Sequence, residues 1–225
     1  MERIKDIEKK YTLVSLFSGI GGLDLGFEFA GFETIWANDF DKYAVETYKA
    51  NVNTNIVLGD IRLVKGQIPD HDVLVGGFPC QPFSTFGKLQ GFNDEQNRGT
   101  LFFEIMDIVK KHDTKVLVLE NVKNLITHDK GNTFKRIQKE LNEAGYYFNF
   151  QVLNSQDYGV PQRRNRVFIV CFNKKYFDDV PFAYPDKEVL TTTTQQLLDE
   201  NVEEKYFLTE KISHTILGEG TKGYI

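Results

Sequence analysis

The sequence predicts an α/β protein built on a mostly parallel seven-stranded sheet, with helices on both faces and one antiparallel strand. Short apolar runs of strand length alternate along the chain with amphipathic stretches of helix length. A glycine-rich turn joins the first apolar run to the first helical stretch, as in nucleotide-binding βα units. No helix-length connection separates the last two strands, which are therefore expected to be antiparallel neighbours.

The composition is that of an ordinary soluble globular protein. Of the 225 residues, 41% are hydrophobic and 26% are charged, and no apolar run approaches the roughly 20 residues of a membrane span. Two cysteines provide no disulfide framework and point to a reducing cytosol, and the four scattered histidines have no metal-binding spacing. The net charge of −5 has the wrong sign for binding nucleic-acid phosphates. Either positive charge is concentrated on one face, or a basic partner or domain lies outside this chain.

Hydrophobic periodicity divides the chain into strands and helices as far as residue 172. The predicted strands are residues 12–17, 34–38, 55–58, 72–75, 115–119, 146–153 and 167–172. The predicted helices are residues 23–30, 41–51, 100–111 and 133–144. Regular patterning fades from about Asn173, so residues 1–185 are expected to form the main domain. Residues 186–225 are expected to be a linker or the start of a further region.

The turn after the first strand, Ser18-Gly19-Ile20-Gly21-Gly22, departs from the fingerprint of dinucleotide-binding proteins. Gly19 and Gly21 would require a third glycine at position 24, where the chain has Asp24. The turn is therefore interpreted either as a site for a nucleotide-like ligand or as a tight turn only. An oxidoreductase is disfavoured for the same reason.

Acidic residues follow the second and third strands. Asp39 lies at the tip of the second strand, where a carboxylate can accept hydrogen bonds from ribose hydroxyls. Phe40 beside it can cover an adenine face. Asp39 can equally cap the helix that follows, and both roles are compatible. Asp60 stands at the end of the third strand in the same way.

The fourth strand leads into Gly76-Gly77-Phe78-Pro79-Cys80-Gln81-Pro82, in which two prolines stiffen the chain around a cysteine. This places the thiol of Cys80 at the carboxyl edge of the sheet, where open α/β sheets bind ligands. The alternative is an ordinary buried cysteine, the usual fate of a lone cysteine in a cytosolic protein. Cys171 lies within an apolar strand and is interpreted as structural.

More charged residues are expected at the same edge. Glu120 follows the fifth strand, and Arg163, Arg164 and Arg166 lie in the loop before the seventh. The alternative interpretation of Glu120 is a surface acid or a helix cap, and that of the arginines is a solvated loop. The joint presence of a thiol, a carboxylate and arginines at successive strand ends favours an active site.

Several segments of the chain resemble the ordered motifs of the cytosine-5 DNA methyltransferases. The resemblance runs over roughly residues 12–172, in family order and spacing, and its Pro-Cys-Gln, Glu-Asn-Val and Gln-Arg-Arg-x-Arg motifs are highly specific. The matching segments are Phe17 to Gly22, Asn38 to Asp41, Gly59 to Ile61, Gly76 to Ser84, Glu120 to Val122 and Gln162 to Arg166. The resemblance implies a Rossmann-like S-adenosylmethionine-dependent methyltransferase fold, with residues 1–185 as its catalytic domain.

The resemblance implies that S-adenosylmethionine is the cofactor, S-adenosylhomocysteine the product, and that no metal takes part. The glycine turn would carry the cofactor, Asp39 would accept hydrogen bonds from its ribose and Phe40 would stack on its adenine. Asp60 and Ile61 would contact the adenine edge. The residues implied to bind the cofactor are Phe17, Ser18, Gly19, Ile20, Gly21, Gly22, Asp39, Phe40, Asp60, Ile61, Pro79 and Leu101.

The resemblance also implies methylation of carbon 5 of cytosine in double-stranded DNA, after the base has been flipped from the duplex. Cys80 would add as thiolate to ring carbon 6, and Glu120 would hold the ring nitrogen and the amino group. Arg166 would bind the carbonyl oxygen, with Arg164 in support. The residues implied to contact DNA are Gln81, Ser84 and Gln162.

Complete members of the family continue into a target-recognition domain and two final motifs, which have no counterpart in this sequence. The chain is therefore expected to be a subunit of a split enzyme, acting with a second subunit that carries the recognition domain, or a truncated product. A restriction–modification system is the expected setting. The alternatives are a transfer-RNA cytosine-5 methyltransferase and a non-catalytic or partner-dependent subunit.

Overall fold

The computed structural model describes residues 11–79, 101–197 and 203. Strands and helices alternate through these ranges. The strands are β1 (Thr12–Leu16), β2 (Glu33–Asp39), β3 (Ile56–Leu58), β4 (Val73–Gly76), β5 (Val116–Val122), β6 (Tyr146–Asn154) and β7 (Asn165–Asn173). The helices are α1 (Gly22–Phe29), α2 (Lys42–Asn51), α3 (Ile61–Val64), α4 (Leu101–Lys111) and α5 (Asn132–Glu143).

The strands form one seven-stranded sheet in the order β3-β2-β1-β4-β5-β7-β6. The pairs β2–β3, β1–β2, β1–β4 and β4–β5 are parallel, and β7 is antiparallel to β5. The predicted fold class is confirmed, as is the prediction that the sixth and seventh strands are neighbours.

Helices cover both faces of the sheet because side chains alternate between its two faces along each strand. On one face, Leu13 of β1 lies in a cluster that packs against Leu23 and Phe27 of α1. On the other face, Val14 belongs to the largest core cluster, together with Ile105 of α4 and Ile137 of α5, among others. β1 is therefore buried on both sides, as expected of a central strand in a parallel sheet.

The fifth and seventh strands are longer than predicted. β5 continues to Val122 because it pairs with β7, so that Glu120 lies opposite Phe168 and Val122 opposite Arg166. The prediction that Glu120 follows its strand and that Arg166 lies in a loop was wrong. Ladder hydrogen bonds join backbone groups whatever the side chains are, so polar residues extend both strands beyond the apolar run.

Two local differences concern the edge where ligands are expected. Phe17 was predicted to end the first strand, but its φ of 55° takes it out of the strand and into the glycine turn. The short helix α3 was not predicted, because four residues are too few to show a helical period. It begins at Asp60, whose side chain accepts a hydrogen bond from the backbone N–H of Arg62.

Contacts divide the chain into two units, residues 1–153 with 165–184, and residues 154–164 with 185–225. In the second unit, the backbone carbonyl of Asp157 accepts a hydrogen bond from the backbone N–H of Glu188 at 2.8 Å. The carboxylate of Asp157 forms an ion pair with Lys187 at 2.8 Å. The hydroxyl of Tyr158 donates to the carbonyl of Pro185 at 3.2 Å. Residues that follow Tyr184 therefore contact the loop that carries Gln162 and Arg164, whereas the domain boundary at residue 185 stays a prediction.

Candidate active site

Strand register brings most of the predicted site residues to one edge of the sheet. Leu16 and Gly76, the last residues of β1 and β4, pair with each other, and Gly76 also pairs with Leu119 of β5. The glycine turn, the segment that leads to Cys80 and the side chain of Glu120 therefore start at the same level of the sheet. This is the carboxyl edge of the parallel strands, where open α/β sheets place their ligands.

The glycine turn has one packed side and one open side. Phe17, Gly19 and Gly21 all have positive φ angles, 55°, 56° and 91°, and for a phenylalanine this conformation costs roughly 1–2 kcal/mol. A β-carbon added at Gly21 would lie 2.5 Å from a methyl carbon of Val52, so only glycine fits there. A β-carbon at Gly19 would meet no atom within 4 Å, which leaves room for a ligand on that side.

Asp39 holds the open side of the turn. Its carboxylate accepts hydrogen bonds from the backbone N–H of Gly19 at 2.8 Å and from that of Asp41 at 2.9 Å. The helix-capping role predicted as an alternative belongs instead to Asp41, whose carboxylate accepts from the N–H groups of Tyr43 and Ala44. Asp39 thus bonds to the backbone of the turn and to the N-cap residue of α2, but it does not itself cap that helix.

The ends of β2 and β3 present an exposed aromatic ring and a carboxylate. Phe40 is 78% exposed, which is unusual for a phenylalanine and leaves its ring free to stack on a ligand. The Asp60 carboxylate caps α3 and pairs with the guanidinium of Arg62, which lowers the pKa of Asp60. Ile61 is buried, with 2% exposure, so only its backbone is available for contact.

An ion pair between Glu120 and Arg166 forms the second half of the site. The Nε atom of Arg166 lies 2.9 Å from Oε1 of Glu120, and both side chains are largely buried. The other carboxylate oxygen, Oε2, lies 3.4 Å from the position that a β-carbon on Gly77 would occupy. Glu120 therefore borders both the arginine and the backbone of the segment that leads to Cys80.

Asn121 fixes the segment that leads to Cys80. Its amide Nδ2 donates to the carbonyl of Phe78 at 2.8 Å, and both residues are buried. The ring of Phe78 packs against Phe102 of α4 at a centroid distance of 5.6 Å. The backbone two residues before Cys80 is thus held by a hydrogen bond and by core packing.

Two asparagines that the sequence analysis did not single out as site residues have clear roles. Asn121 fixes the Phe78 carbonyl, and Asn38 donates from its amide to the carbonyls of Val57 and Gly59 at 3.0 and 2.8 Å. Asn38 thereby joins the carboxyl ends of β2 and β3. Each asparagine lies next to a predicted site acid and within a segment that matches the family motifs, and these were the signals available in the sequence.

Other predicted site residues are placed as follows. Cys80, Gln81 and Ser84 lie outside the described residues. Pro79 is exposed, and Leu101 is half-buried at the start of α4, against the largest core cluster.

Gln162 and Arg164 are exposed and belong to the second unit. There the backbone N–H of Arg164 donates to the side chain of Asn154 at 3.0 Å, and its carbonyl accepts from Ser155 at 3.1 Å. The hydroxyl of Ser155 donates to the carbonyl of Gln162. These bonds fix the backbone of the loop and leave both side chains available.

The described residues at the carboxyl edge fit the adenosyl part of S-adenosylmethionine. The open side of the glycine turn, the Asp39 carboxylate and the exposed Phe40 ring match the polar and aromatic surface of an adenosyl group. In the described ranges, no group of three or more His, Cys, Asp or Glu side chains is placed to hold a metal ion. No helix in the same part of the chain is long and apolar enough to cross a membrane.

Solved structures share this architecture. The Dnmt2 methyltransferase of S. pombe matches 90% of this chain and 65% of its own with a TM-score of 0.67 and 19% identity. A DNMT2 variant from Spodoptera frugiperda matches 90% of this chain and 64% of its own with a TM-score of 0.65 and 23% identity. The chain therefore shares the fold of these methyltransferase structures.

The chain belongs to the C-5 cytosine-specific DNA methylase family, whose model matches residues 11–220. It is 44% identical over 202 residues to the type II methyltransferase M.Bsp6I of Bacillus sp. (strain RFL6), covering 88% of this chain and 64% of the relative. It is 45% identical over 205 residues to M.NgoBI of Neisseria gonorrhoeae, covering 90% and 62%. The chain thus spans less than two thirds of the length of these relatives.

Proposed function

We propose that this chain is the catalytic part of a cytosine-5 DNA methyltransferase that uses S-adenosylmethionine and acts in the cytoplasm within a restriction–modification system. The observation that carries the proposal is the Glu120–Arg166 ion pair, which borders the segment leading to Cys80. The same edge of the sheet carries the glycine turn and Asp39. Membership of the methylase family supports the assignment.

Four features of the site are proposed to bind different parts of the cofactor. The glycine turn provides an open backbone surface at Gly19. Asp39 accepts hydrogen bonds from ribose hydroxyls, Phe40 stacks on the adenine and Asp60 with Ile61 meets its edge. S-adenosylmethionine supplies, when bound, a methyl group on a positively charged sulfur. Pro79 and Leu101 border the cofactor from the Cys80 segment and α4.

The base half of the site activates cytosine. The Cys80 thiolate forms a bond to ring carbon 6, and the electrons of the 5,6 double bond move onto carbon 5. The Glu120 carboxyl group holds the ring nitrogen and exocyclic amino group, and Arg166 binds the carbonyl oxygen, so that both stabilise the charge that develops on the ring. After carbon 5 has been methylated, its proton is lost, the double bond forms again and the cysteine leaves.

Binding to DNA requires a basic surface that the overall composition does not predict. The net charge of −5 opposes phosphate contacts, although Gln81, Ser84 and Gln162 are assigned to DNA. We therefore include in the proposal a second subunit that carries the target-recognition part and supplies the positive charge. Base flipping needs a grip on both strands, which one wall of a cleft does not provide.

The substrate assignment is tested by tritium transfer from labelled S-adenosylmethionine to duplex DNA and to transfer RNA. We expect weak transfer to DNA by the chain alone at micromolar concentration, and strong transfer once the polypeptide that carries the recognition part is added. Transfer to transfer RNA at a higher rate than to DNA would favour the alternative branch of the family. Absence of transfer to either substrate with the second polypeptide present would contradict the proposal.

Asp39→Ala is expected to weaken S-adenosylmethionine binding by about 1–3 kcal/mol, the effect of losing hydrogen bonds to a carboxylate. The variant removes the acceptor for the ribose and also the bond to the Gly19 N–H. Asp41→Ala is the matched control, since Asp41 caps α2 and makes no bond to the turn. Titration calorimetry that shows equal affinity for the Asp39 variant and the native chain would place the cofactor elsewhere.

A further inference from the structure

A buried carboxylate lies beneath the glycine turn, at the position where the dinucleotide fingerprint requires a glycine. Asp24, in the first turn of α1, has 0% exposure. Its two oxygens accept hydrogen bonds from the hydroxyl of Ser15 at 2.9 Å and from that of Tyr48 at 2.7 Å. Ser15 and Tyr48 are themselves buried, in β1 and α2. Asp24 therefore links three elements inside the protein.

The same cluster contacts the glycine turn at two points. The hydroxyl of Ser18 lies 2.9 Å from that of Ser15, which donates to Asp24 and is free to accept from Ser18. The backbone of Gly21 packs directly on Tyr48, because a β-carbon there would lie 3.0 Å from two carbons of the Tyr48 ring. A hydrogen-bonded chain thus runs from the turn through Ser15 to Asp24 and on to α2.

A carboxylate is a costly way to fill this space. Hydrogen bonds from hydroxyl donors only partly offset the free energy of desolvating a buried charged group. An apolar side chain of similar volume would fill the space at a lower cost. Burial accordingly raises the pKa of Asp24, against the opposing effect of the Tyr48 and Ser15 hydroxyls. The carboxylate provides two fixed acceptors, which an apolar side chain cannot, and these orient the hydroxyls on either side of the turn.

We propose that Asp24 is a positioning residue for cofactor binding, whose buried carboxylate holds the strained turn of residues 17–21 in its ligand-binding conformation through Ser15, Ser18 and Tyr48. Asp39 fixes the same turn at Gly19. Between them the two carboxylates hold a backbone that is strained at Phe17, where the positive φ angle is unfavourable, whereas Gly19 and Gly21 adopt positive φ angles readily. This inference rests on the proposed use of S-adenosylmethionine.

The test compares S-adenosylmethionine affinity with folding stability in the full chain. Asp24→Asn keeps the shape of the side chain, and Tyr48→Phe removes only the hydroxyl and keeps the ring against Gly21. We expect each variant to bind S-adenosylmethionine about tenfold more weakly by titration calorimetry, the factor for one lost hydrogen bond to a charged group. Circular dichroism and urea titration establish that the protein measured is folded.

The matched control is Asp72→Asn. Asp72 also accepts hydrogen bonds from β1, from the backbone N–H and the hydroxyl of Thr12 at 3.1 Å, and pairs with Lys115. Thr12 is at the opposite end of β1 from the turn. This variant is expected to lose stability but to bind S-adenosylmethionine within twofold of the native chain, so that a loss of stability alone is separated from a loss of positioning.

The pH dependence of binding provides a second readout. Protonation of Asp24 places a hydrogen on one of its two oxygens, each of which now accepts a hydrogen bond from a hydroxyl, so one of these acceptors becomes a donor that faces a donor. The pKa of Asp24 is raised by burial. As the pH is lowered, the affinity of the native chain for S-adenosylmethionine should therefore begin to fall at a pH above the range in which ordinary carboxyl groups titrate. Asp24→Asn should lack this decline, whereas the neighbouring carboxyl groups of Glu28 and Asp39 are present in both proteins.

The outcomes separate this inference from the proposed function. A native chain that does not bind S-adenosylmethionine would overturn both. A native chain that binds, together with Asp24 and Tyr48 variants of unchanged affinity and parallel pH profiles, would overturn only the role of Asp24 and leave it a structural residue. Weaker binding by both variants, with Asp72→Asn unaffected, is the result that the proposal predicts.

Discussion

Cys80→Ser is expected to abolish methyl transfer to cytosine, a loss of roughly 10³-fold or more. A serine hydroxyl is almost entirely protonated at neutral pH and adds poorly to ring carbon 6, whereas a thiol is partly ionised and far more nucleophilic. Affinity for S-adenosylmethionine should be unchanged, because the thiol is assigned to the base. Rates are measured by tritium transfer with the second polypeptide present.

Cys171→Ser is the matched control for the cysteine. Cys171 is fully buried in β7, and burial raises the pKa of its thiol well above the ordinary value, so that it stays neutral. Serine at this position should lower the free energy of unfolding and leave the rate of methyl transfer by the folded protein unchanged. Full turnover by the Cys80 variant, or loss of turnover in the Cys171 variant at equal folded concentration, would contradict the assignment.

Glu120→Gln is expected to lower the rate of methyl transfer by about 10²–10⁴-fold, the range for removal of a positioned acid–base group. Glutamine keeps the size of the side chain but cannot carry a proton to or from the ring, and it leaves Arg166 without its anionic partner. The effect should fall on the maximal rate, measured at saturating S-adenosylmethionine, because Glu120 belongs to the base half of the site.

Glu104→Gln provides the comparison for Glu120. Glu104 also forms an ion pair, with Lys65, but it lies on α4 outside the proposed base site. Its loss should leave the maximal rate unchanged. A Glu120 variant with the rate of the Glu104 variant would remove Glu120 from the chemistry.

Much of this site follows from strand ends, which sequence patterns locate well. Apolar runs of strand length are distinctive, and in a parallel sheet their carboxyl ends must meet at one edge. Asp39 and Asp60 were placed correctly because each closes such a run. The contact between the Asp39 carboxylate and the Gly19 N–H is not predictable in the same way, since it depends on the positive φ angle of Gly19.

The predictions failed where pairing or packing outweighs local pattern. Glu120 and Arg166 lie within strands because β5 and β7 pair with each other, which no short window of sequence reveals. Asp24 marks a departure from a fingerprint in the sequence, but its burial against Ser15 and Tyr48 depends on residues from two other elements. The anchoring of Phe78 by Asn121 is likewise a contact between distant parts of the chain.

The central claim, a covalent bond between Cys80 and cytosine in DNA, is tested most directly by trapping it. Duplex DNA in which 5-fluoro-2′-deoxycytidine replaces cytosine is incubated with S-adenosylmethionine, this chain and the second polypeptide. Fluorine cannot leave carbon 5 as a proton does, so the bond to the cysteine cannot be released after methylation. The account predicts a cofactor-dependent protein–DNA complex whose peptide, identified by mass spectrometry, is joined to the base at Cys80. Failure to form a covalent complex, or a complex joined through another residue, would contradict it.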